Sequence, residues 1–432
     1  MKILLINPNF PGSFGHIVEE LLKQGHQLIV MTIKSRVPDG WKGVRIINYQ
    51  FNPQQNPQTH QWLQEFDNKV RCGEHLMLLA KQLKASGFNP DAIIANPSLG
   101  EALFIRDVWP NVPLGIHCEM YLNHKGQMLG FDREFEAPQD ESLLAARTRM
   151  SNSALLMQIE QATAGIAFSS FQAESFPSVF QPKISIIHEG VDTQFFYPNE
   201  NVEASLACIT GRYEFFRPAS SLPAQMLNFS RNDEIITFVN RNFEPARGCH
   251  KFIRILPQLL QRRTRAHVIM AGVDGQTFSH RPTGYESWRQ QFWREIETNL
   301  SPDAKSRIHF VGMLPKEQFA QLLQLSTVHV YLSYPLVNSA SLIEAMSCGC
   351  AIVASNVAPV REIIENGQNG VLVDFFDSDG LVERIVSLLK NSHSRQQLSM
   401  KARMFAKDYF DRQTQTLPKT IKWIERLADS ST

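Results

Sequence analysis

What this 432-residue chain lacks narrows its class before any motif is read. The formal net charge is only +1, so no strong field of either sign is available for coating a nucleic acid or another polyanion. The six cysteines, at 72, 118, 208, 249, 348 and 350, include no CxxC pair and no histidine at ligand spacing. That argues against a disulfide scaffold or a zinc site and for reduced, packed thiols in a cytoplasmic protein. No run of about 18 apolar residues is present, and the opening MKILLINPNF is too short an apolar stretch for a secretory signal. A soluble protein is expected, with peripheral membrane contact left open. Solenoid-length repeats and low-complexity tracts are absent too. A GxGxxG loop with an acidic residue about 20 positions later is also missing, which disfavours a nicotinamide enzyme.

What is present is an ordinary globular composition, 43% hydrophobic and 20% charged, on a chain too long for one core. In the first half, KILLIN (2–7), QLIVMTI (27–33), VRIINY (44–49), DAIIAN (91–96), PLGIHCE (113–119), AGIAFSS (164–170) and KISIIHEG (183–190) read as strands separated by helical segments. The second half repeats the scheme with EIITFVN (234–240), AHVIMAG (266–272), RIHFVG (307–312), VHVYLS (328–333), AIVAS (351–355) and GVLVD (370–374). Strands apolar on both faces and alternating with helices predict parallel sheets covered on both sides. The expected fold is therefore α/β, two doubly wound Rossmann-like domains facing each other across a cleft. The expected boundaries are 1–196 for the first domain and 197–398 for the second. A helical segment at 399–432 should pack back towards the first. Residues 196–232 are polar, contain prolines and show no clear period, so they read as a linker and an irregular lead-in. Helices are expected over 359–366 and 395–427.

Ligands of such sheets sit beyond the carboxyl ends of the strands. Three loops there could meet an anion. YPLVNSASLIEAMSCGCAIVASN (334–356) opens a helix with Asn338, Ser339, Ala340 and Ser341, small enough to let a phosphate reach unpaired amides. The plain alternative is capping by Asn338 or Ser339, or a capping box from Ser341 to Glu344. NRNFEPARG (240–248) places Arg241 and Arg247 around a proline turn, where guanidinium forks suit a diphosphate or, equally, surface ion pairs. FPGSFG (10–15) offers Gly12 and Gly15 for close backbone approach. The acidic DFFDSD (374–379) fits a loop and helix cap better than a metal site, Cys348 and Cys350 read as core, and His117 alone reads as a packed strand histidine. Trp288 and Trp293 are expected in packing rather than at a groove.

Taken together, FPGSFGHIVEELLKQGH, HCE, HEGVDTQFF, VNRNFEPARG, RIHFVGMLP, SLIEAMSCGCAIVAS and PVREIIENGQNGVLVD resemble glycosyltransferase family 4 along nearly the whole chain. The resemblance implies retaining enzymes of the GT-B fold that use a UDP- or GDP-linked sugar and need no metal. The acceptor would be a small molecule, a glycan or a lipid-linked sugar. It implies that Arg241 and Arg247 neutralise the leaving diphosphate and that Glu344 binds ribose hydroxyls. Amides near Ser339 to Ser341 would contact phosphate, backbone around Met313 the base, and Gly12 the donor or acceptor. His117 would hydrogen-bond the transferred sugar.

The sequence departs from the family at one point. Its motif has a first glutamate eight positions before the second, and Leu336 stands there. A nucleotide-sugar binding protein without turnover is thus one alternative to a transferase. An epimerase or hydrolase of the same fold is another. Base, sugar, acceptor and oligomeric state are not legible.

Overall fold

The computed structural model describes residues 1–35, 41, 43–125, 127–135, 140–210 and 225–430, with no side-chain description at 35, 209 and 210. They form two compact units. The first draws on Met1–Gly130, Ala137–Gly190 and Arg412–Thr432, and the second on Phe131–Glu136 and Val191–Asp411.

Among the described residues, the first unit is built on a seven-stranded parallel sheet. Its strands are β1 (Lys2–Ile6), β2 (Gln27–Thr32), β3 (Val44–Asn48), β4 (Ala92–Ala95), β5 (Leu114–His117), β6 (Ala164–Ala167) and β7 (Ile184–Ile186). They lie in the order 3-2-1-4-5-6-7, the doubly wound arrangement whose order reverses at β1. The unbroken apolar run of β1 is explained by burial on both faces. Ile3 and Leu5 join one core cluster, while Leu4 and Ile6, pointing the other way, join the other. The Gln64–Ala85 and Glu141–Gln161 helices cover the Leu4 face through Leu76, Ala80 and Ile159. The Ile3 face is covered by Val18 and Leu21 of the Gly15–Lys23 helix and by Leu417, Ile421, Ile424 and Leu427 of the last helix, Leu417–Asp429. Gly115 in β5 allows that contact, since a Cβ there would sit 2.6 Å from the Trp423 ring.

The second unit repeats the plan with β8 (Glu203–Thr210), β9 (Gln225–Ser230), β10 (Glu234–Asn242), β11 (Ala266–Val273), β12 (Ile308–Gly312), β13 (Val328–Tyr331), β14 (Ile352–Ser355) and β15 (Val371–Val373). Their order is 9-8-12-11-10-13-14-15. Strands 12-11-10-13-14-15 reproduce the parallel arrangement of the first sheet, and β8 and β9 add an antiparallel edge.

That edge corrects the expectation of an irregular lead-in. Ala204, Leu206 and Cys208 are buried while Glu203, Ser205 and Ala207 are exposed, the period-2 signature of a strand with one wet face. The small residues there weaken the apolar signal in the sequence. Part of the expected irregular stretch, 211–224, lies outside the described residues.

Two helices also differ from expectation. Only Ala358–Arg361 of 359–366 is helical, because Asn369 ties the next residues into a turn, accepting from Glu365 N at 2.8 Å and donating to Ile363 O at 3.0 Å. The C-terminal helical run is two helices, Ser392–Phe410 and Leu417–Asp429, joined by a π-turn over Arg412–Thr416. A helix also occupies Ser170–Ser175, started by the Ser169 hydroxyl accepting from Gln172 N. Cys348 and Cys350 are buried, as are the other four cysteines. Trp288 and Trp293 are buried against Phe135 and Phe292 and against Phe310 respectively. Asp377 caps the Ser378–Lys390 helix through Gly380 N.

One carboxyl in the first unit is buried without a cation hydrogen-bonded to it. Glu101 is 0% exposed, accepts from Leu99 N at 2.6 Å, and lies close to Tyr49 and Cys72. Burial pushes it up to about 7. The folded chain therefore holds a proton that the unfolded chain releases near its ordinary value, so this group's contribution to stability is full below about pH 4.5 and is lost as pH rises through about 7. Glu101→Gln should flatten the decline in stability between these pH values, a difference of about 3 kcal/mol at most. Denaturant unfolding at several pH values measures it, and equal slopes for the two proteins would refute the assignment.

Candidate functional site

In the second unit, β10 ends in Asn240, Arg241 and Asn242, and the chain turns through Phe243 and Glu244 into a 3-10 turn at Pro245–Arg247. Gly248 follows with φ +69°, and a Cβ there would meet Leu332 Cβ at 2.3 Å, so only glycine lets the turn pack against the strand beside it. The anchor of this turn is Glu244, 1% exposed. Its Oε2 accepts from three consecutive amides, Thr277 N and Phe278 N at 3.0 Å and Ser279 N at 2.9 Å. Asn242 Nδ2 donates to Thr277 Oγ1 at 2.7 Å, and Ala246 N to Ser279 Oγ at 3.2 Å. The loop after β11 is thereby fixed to the loop after β10.

Arg247 stands on this support. Its guanidinium lies 5.1 Å from the centre of the Phe278 ring, and its Nη1 donates to Val337 O at 3.5 Å. Tyr334 N donates to Ala246 O at 2.9 Å, so the 334–337 loop is also tied to the arginine turn. Two residues beyond Val337, Ser339 caps the Ala340–Ser347 helix, its Oγ accepting from Ser341 N at 3.4 Å and its own N donating to Tyr331 Oη at 2.9 Å. Asn338 Nδ2 donates to Pro359 O at 2.6 Å, while its buried Oδ1 has no partner among the described residues. Ala340 opens the helix, and Glu344 sits one turn in, half-buried. Leu336 is buried.

The structure thus brings Arg247 to the main chain leading into the Glu344 helix. Arg241 is exposed on the strand end with no partner among the described residues. Met313 is 62% exposed just past β12, after Gly312 with φ +64°.

The remaining sequence-derived residues belong to the first unit. Gly12 has φ +45°, and a Cβ there would meet Asn7 Nδ2 at 3.0 Å. Its immediate role is to let the loop close on Asn7, which donates to Ser13 Oγ and accepts from Asn9 N. His117 ends β5, 4.5 Å from the Phe168 ring, and neither ring nitrogen has a partner among the described residues. Burial pushes it down to about 4.

Two further imidazoles there were not among the sequence-derived site residues. His16, near the start of the Gly15–Lys23 helix, is pushed down to about 3 by burial and then by the Arg412 charge. His188 is pushed down to about 4 by the same two causes, and its Nδ1 accepts from Gly190 N at 2.9 Å. Near neutral pH these rings are uncharged, able to donate from one nitrogen and accept at the other, which suits hydroxyl groups. The available signal was the position of each histidine at a strand end or helix start, invisible without knowing that these ends converge.

Sequence reasoning also missed residues 131–135, which pack in the second unit although their chain neighbours belong to the first. Phe131 packs on Tyr334, Phe375 and Phe376. Asp132 accepts from His250 Nε2 at 2.9 Å, and Glu134 forms a bidentate pair with Arg254. Asp132, Glu134 and His250 lie close enough to hold an ion. Their hydrogen bonds to one another and to Arg254 account for them as a charge network.

Two Rossmann-type α/β units in one chain, each carrying polar and charged groups at its strand ends, define the GT-B class of protein. Residues 24–196 match the model described as glycosyl transferase family 4 group, and residues 224–405 match that of glycosyl transferases group 1. The chain belongs to this family of glycosyltransferases. It is 22% identical over 238 residues to N-acetyl-alpha-D-glucosaminyl L-malate synthase of Bacillus anthracis, covering 55% of this chain and 56% of that protein. It thus spans about half the length of that relative, and likewise 56% of spore coat protein SA of Bacillus subtilis. Glycogen synthase of Mycobacterium tuberculosis is 24% identical over 96% of this chain and 92% of its own. Among solved structures, sucrose-phosphate synthase from Thermosynechococcus elongatus superposes with a TM-score of 0.68 at 16% identity, each chain fully covered. HepE of Anabaena, solved with UDP, gives 0.63 at 15% identity over 99% of this chain and 100% of its own.

Glu244→Ala removes the acceptor shared by three amides at once. Stability should fall by about 3 kcal/mol, at roughly 1 kcal/mol for each hydrogen bond lost, and Glu244→Gln should lose less. Urea unfolding checks this, and a shift under about 0.5 kcal/mol for the alanine variant would show the 277–279 loop to be held by other contacts.

Proposed function

We propose that the chain transfers a sugar from a nucleoside diphosphate sugar to a hydroxyl-bearing acceptor, with retention at the anomeric carbon. The observation that carries this reading is Arg247, held by the Glu244-anchored loop within reach of the main chain that opens the Ala340–Ser347 helix. A guanidinium fork beside a helix start suits a diphosphate, because both offer fixed donors where negative charge develops as the leaving group departs.

In the proposed step the bond from the anomeric carbon to the diphosphate oxygen breaks. A bond to the acceptor oxygen forms on the same face, and the acceptor's proton passes to the departing phosphate. Arg247, with Arg241 on the neighbouring strand end, offsets the charge on that phosphate, and the amides about Ser339 to Ser341 contact it. Glu344 binds ribose hydroxyls, and the backbone at Met313 the base. In the first unit, Gly12 lets the loop backbone approach a ligand, and His117, neutral and with both nitrogens available, hydrogen-bonds a sugar hydroxyl. No protein-bound metal has a part in this scheme. HepE has been solved with UDP-glucose, which favours a uridine donor, and the acceptor class is a glycan, a small molecule or a lipid-linked sugar. Its place of action is the cytoplasm or a membrane surface, and no helix of the described residues is long and apolar enough to cross a membrane.

Leu336 favours a second reading, binding without turnover. It puts a buried aliphatic side chain where the family has a carboxylate for sugar hydroxyls. Incubation with UDP- and GDP-sugars, with and without acceptor, distinguishes the two. Acceptor-dependent release of nucleoside diphosphate is the expected result, and tight binding without release would leave only the second reading.

Arg247→Ala should slow turnover and weaken donor binding by more than about tenfold, as a charged hydrogen bond to phosphate is worth that much. Unchanged kinetics would take Arg247 out of the site. Glu344→Gln should raise the donor KM with little change in kcat. If the thermal midpoint moves while KM stays put, Glu344 serves the helix and not the nucleotide.

A further inference from the structure

A second cationic groove lies in the same unit, at the opposite end of the Glu344 helix. Where that helix stops, Gly349 takes φ +73°, a Cβ there would meet Pro198 Cγ at 3.2 Å, and the Ser392–Phe410 helix forms the other wall. The space enclosed is about 600 Å³. Arg231, Arg395, Arg403 and Lys407 line it, with Glu200 the one carboxylate among the lining residues.

These cations have no carboxylate hydrogen-bonded to them among the described residues. Arg231 donates from Nη1 to the carbonyls of Gln324 and Ser326, at 2.8 and 3.1 Å. Arg395 donates from Nη1 to those of Leu388 and Leu389, at 2.7 and 3.4 Å. Arg403 donates to Phe196 O, Ser347 O and Thr193 O, which seats it on the last turn of the Glu344 helix. The carbonyls fix each fork without cancelling its charge. In both Arg231 and Arg395, Nε and Nη2 are left without a partner among the described residues, so each retains donors for an incoming oxygen. Burial and then the like charge of Arg231 lower the Arg395 pKa, against a smaller opposing pull from the Glu234 carboxylate.

We propose that this groove binds a phosphate group, separately from the candidate donor site. A tetrahedral phosphate presents three or more acceptor oxygens to converging forks, which a single carboxylate does not. Met400 and Met404, 60% and 55% exposed on the same helix, add an apolar ledge for the rest of a phosphate ester. The shared chemistry admits two sources, a soluble phosphate ester or the headgroup of an anionic phospholipid. Because Arg403 holds the end of the helix whose start serves the candidate donor site, occupancy here bears on a helix that site uses.

The test uses the full chain carrying Arg247→Ala, so that the donor site contributes little. Inorganic phosphate is titrated calorimetrically, and phosphatidylcholine vesicles with and without phosphatidic acid are used for co-sedimentation. Arg231→Gln with Arg395→Gln should weaken whichever probe binds by about tenfold or more. Lys407→Glu, an exposed side chain with no described partner, should weaken it several-fold without disturbing the fold. Loss of phosphate binding identifies a soluble ligand, and loss of binding to phosphatidic acid vesicles alone identifies a lipid headgroup. If neither probe binds, or binding is the same in the double variant and in Lys407→Glu, the proposal is overturned. Nucleotide-sugar turnover is not read, so failure here is separable from failure of the transferase reading.

Discussion

The second unit's candidate site depends on one buried carboxylate. Glu244 has been withdrawn from water, a cost that is repaid only by hydrogen bonds, and it receives them from three successive amides of the 277–279 loop. The loop so fixed presents Phe278 to Arg247, and the turn carrying Arg247 holds the 334–337 segment through Ala246 O. A long, flexible arginine side chain would otherwise lose considerable rotamer freedom on binding an anion. Here most of that ordering is complete in the folded chain.

The two units place different electrostatics at their strand ends. In the second, cations and helix amides gather and suit a phosphate. In the first, burial keeps His16, His117 and His188 neutral, helped at His16 and His188 by the Arg412 charge, which suits uncharged hydroxyl groups. A transferase that separates charge between a departing diphosphate and a neutral acceptor would need both kinds of surface. Leu336 stands, buried, where the family motif has a carboxylate, and in the proposed reading the groups assigned to the phosphate are all present.

Much of the fold was legible because a fully buried parallel strand leaves an unbroken apolar run. KILLIN, AHVIMAG and RIHFVG could be read directly, and the switch to helical spacing between them gave the alternation. The β8 strand was not legible in the same way. Its wet face interrupts the apolar signal, and its buried face carries small residues such as Ala204 and Cys208. The short helix at Ala358–Arg361 was overestimated, since a single asparagine diverted the chain into a turn.

By itself the sequence determined two α/β sheets, the loops that follow their strands, and the residue types able to meet an anion, because periodicity and turn chemistry are local properties. Only the tertiary structure decided that Arg247 meets the Val337 carbonyl while Arg241 stays exposed, that three histidines far apart in the chain become neutral together, and that residues 131–135 pack in the second unit. Those outcomes turn on which strand ends lie side by side and on how much water is excluded between them, and neither quantity is written in any single segment.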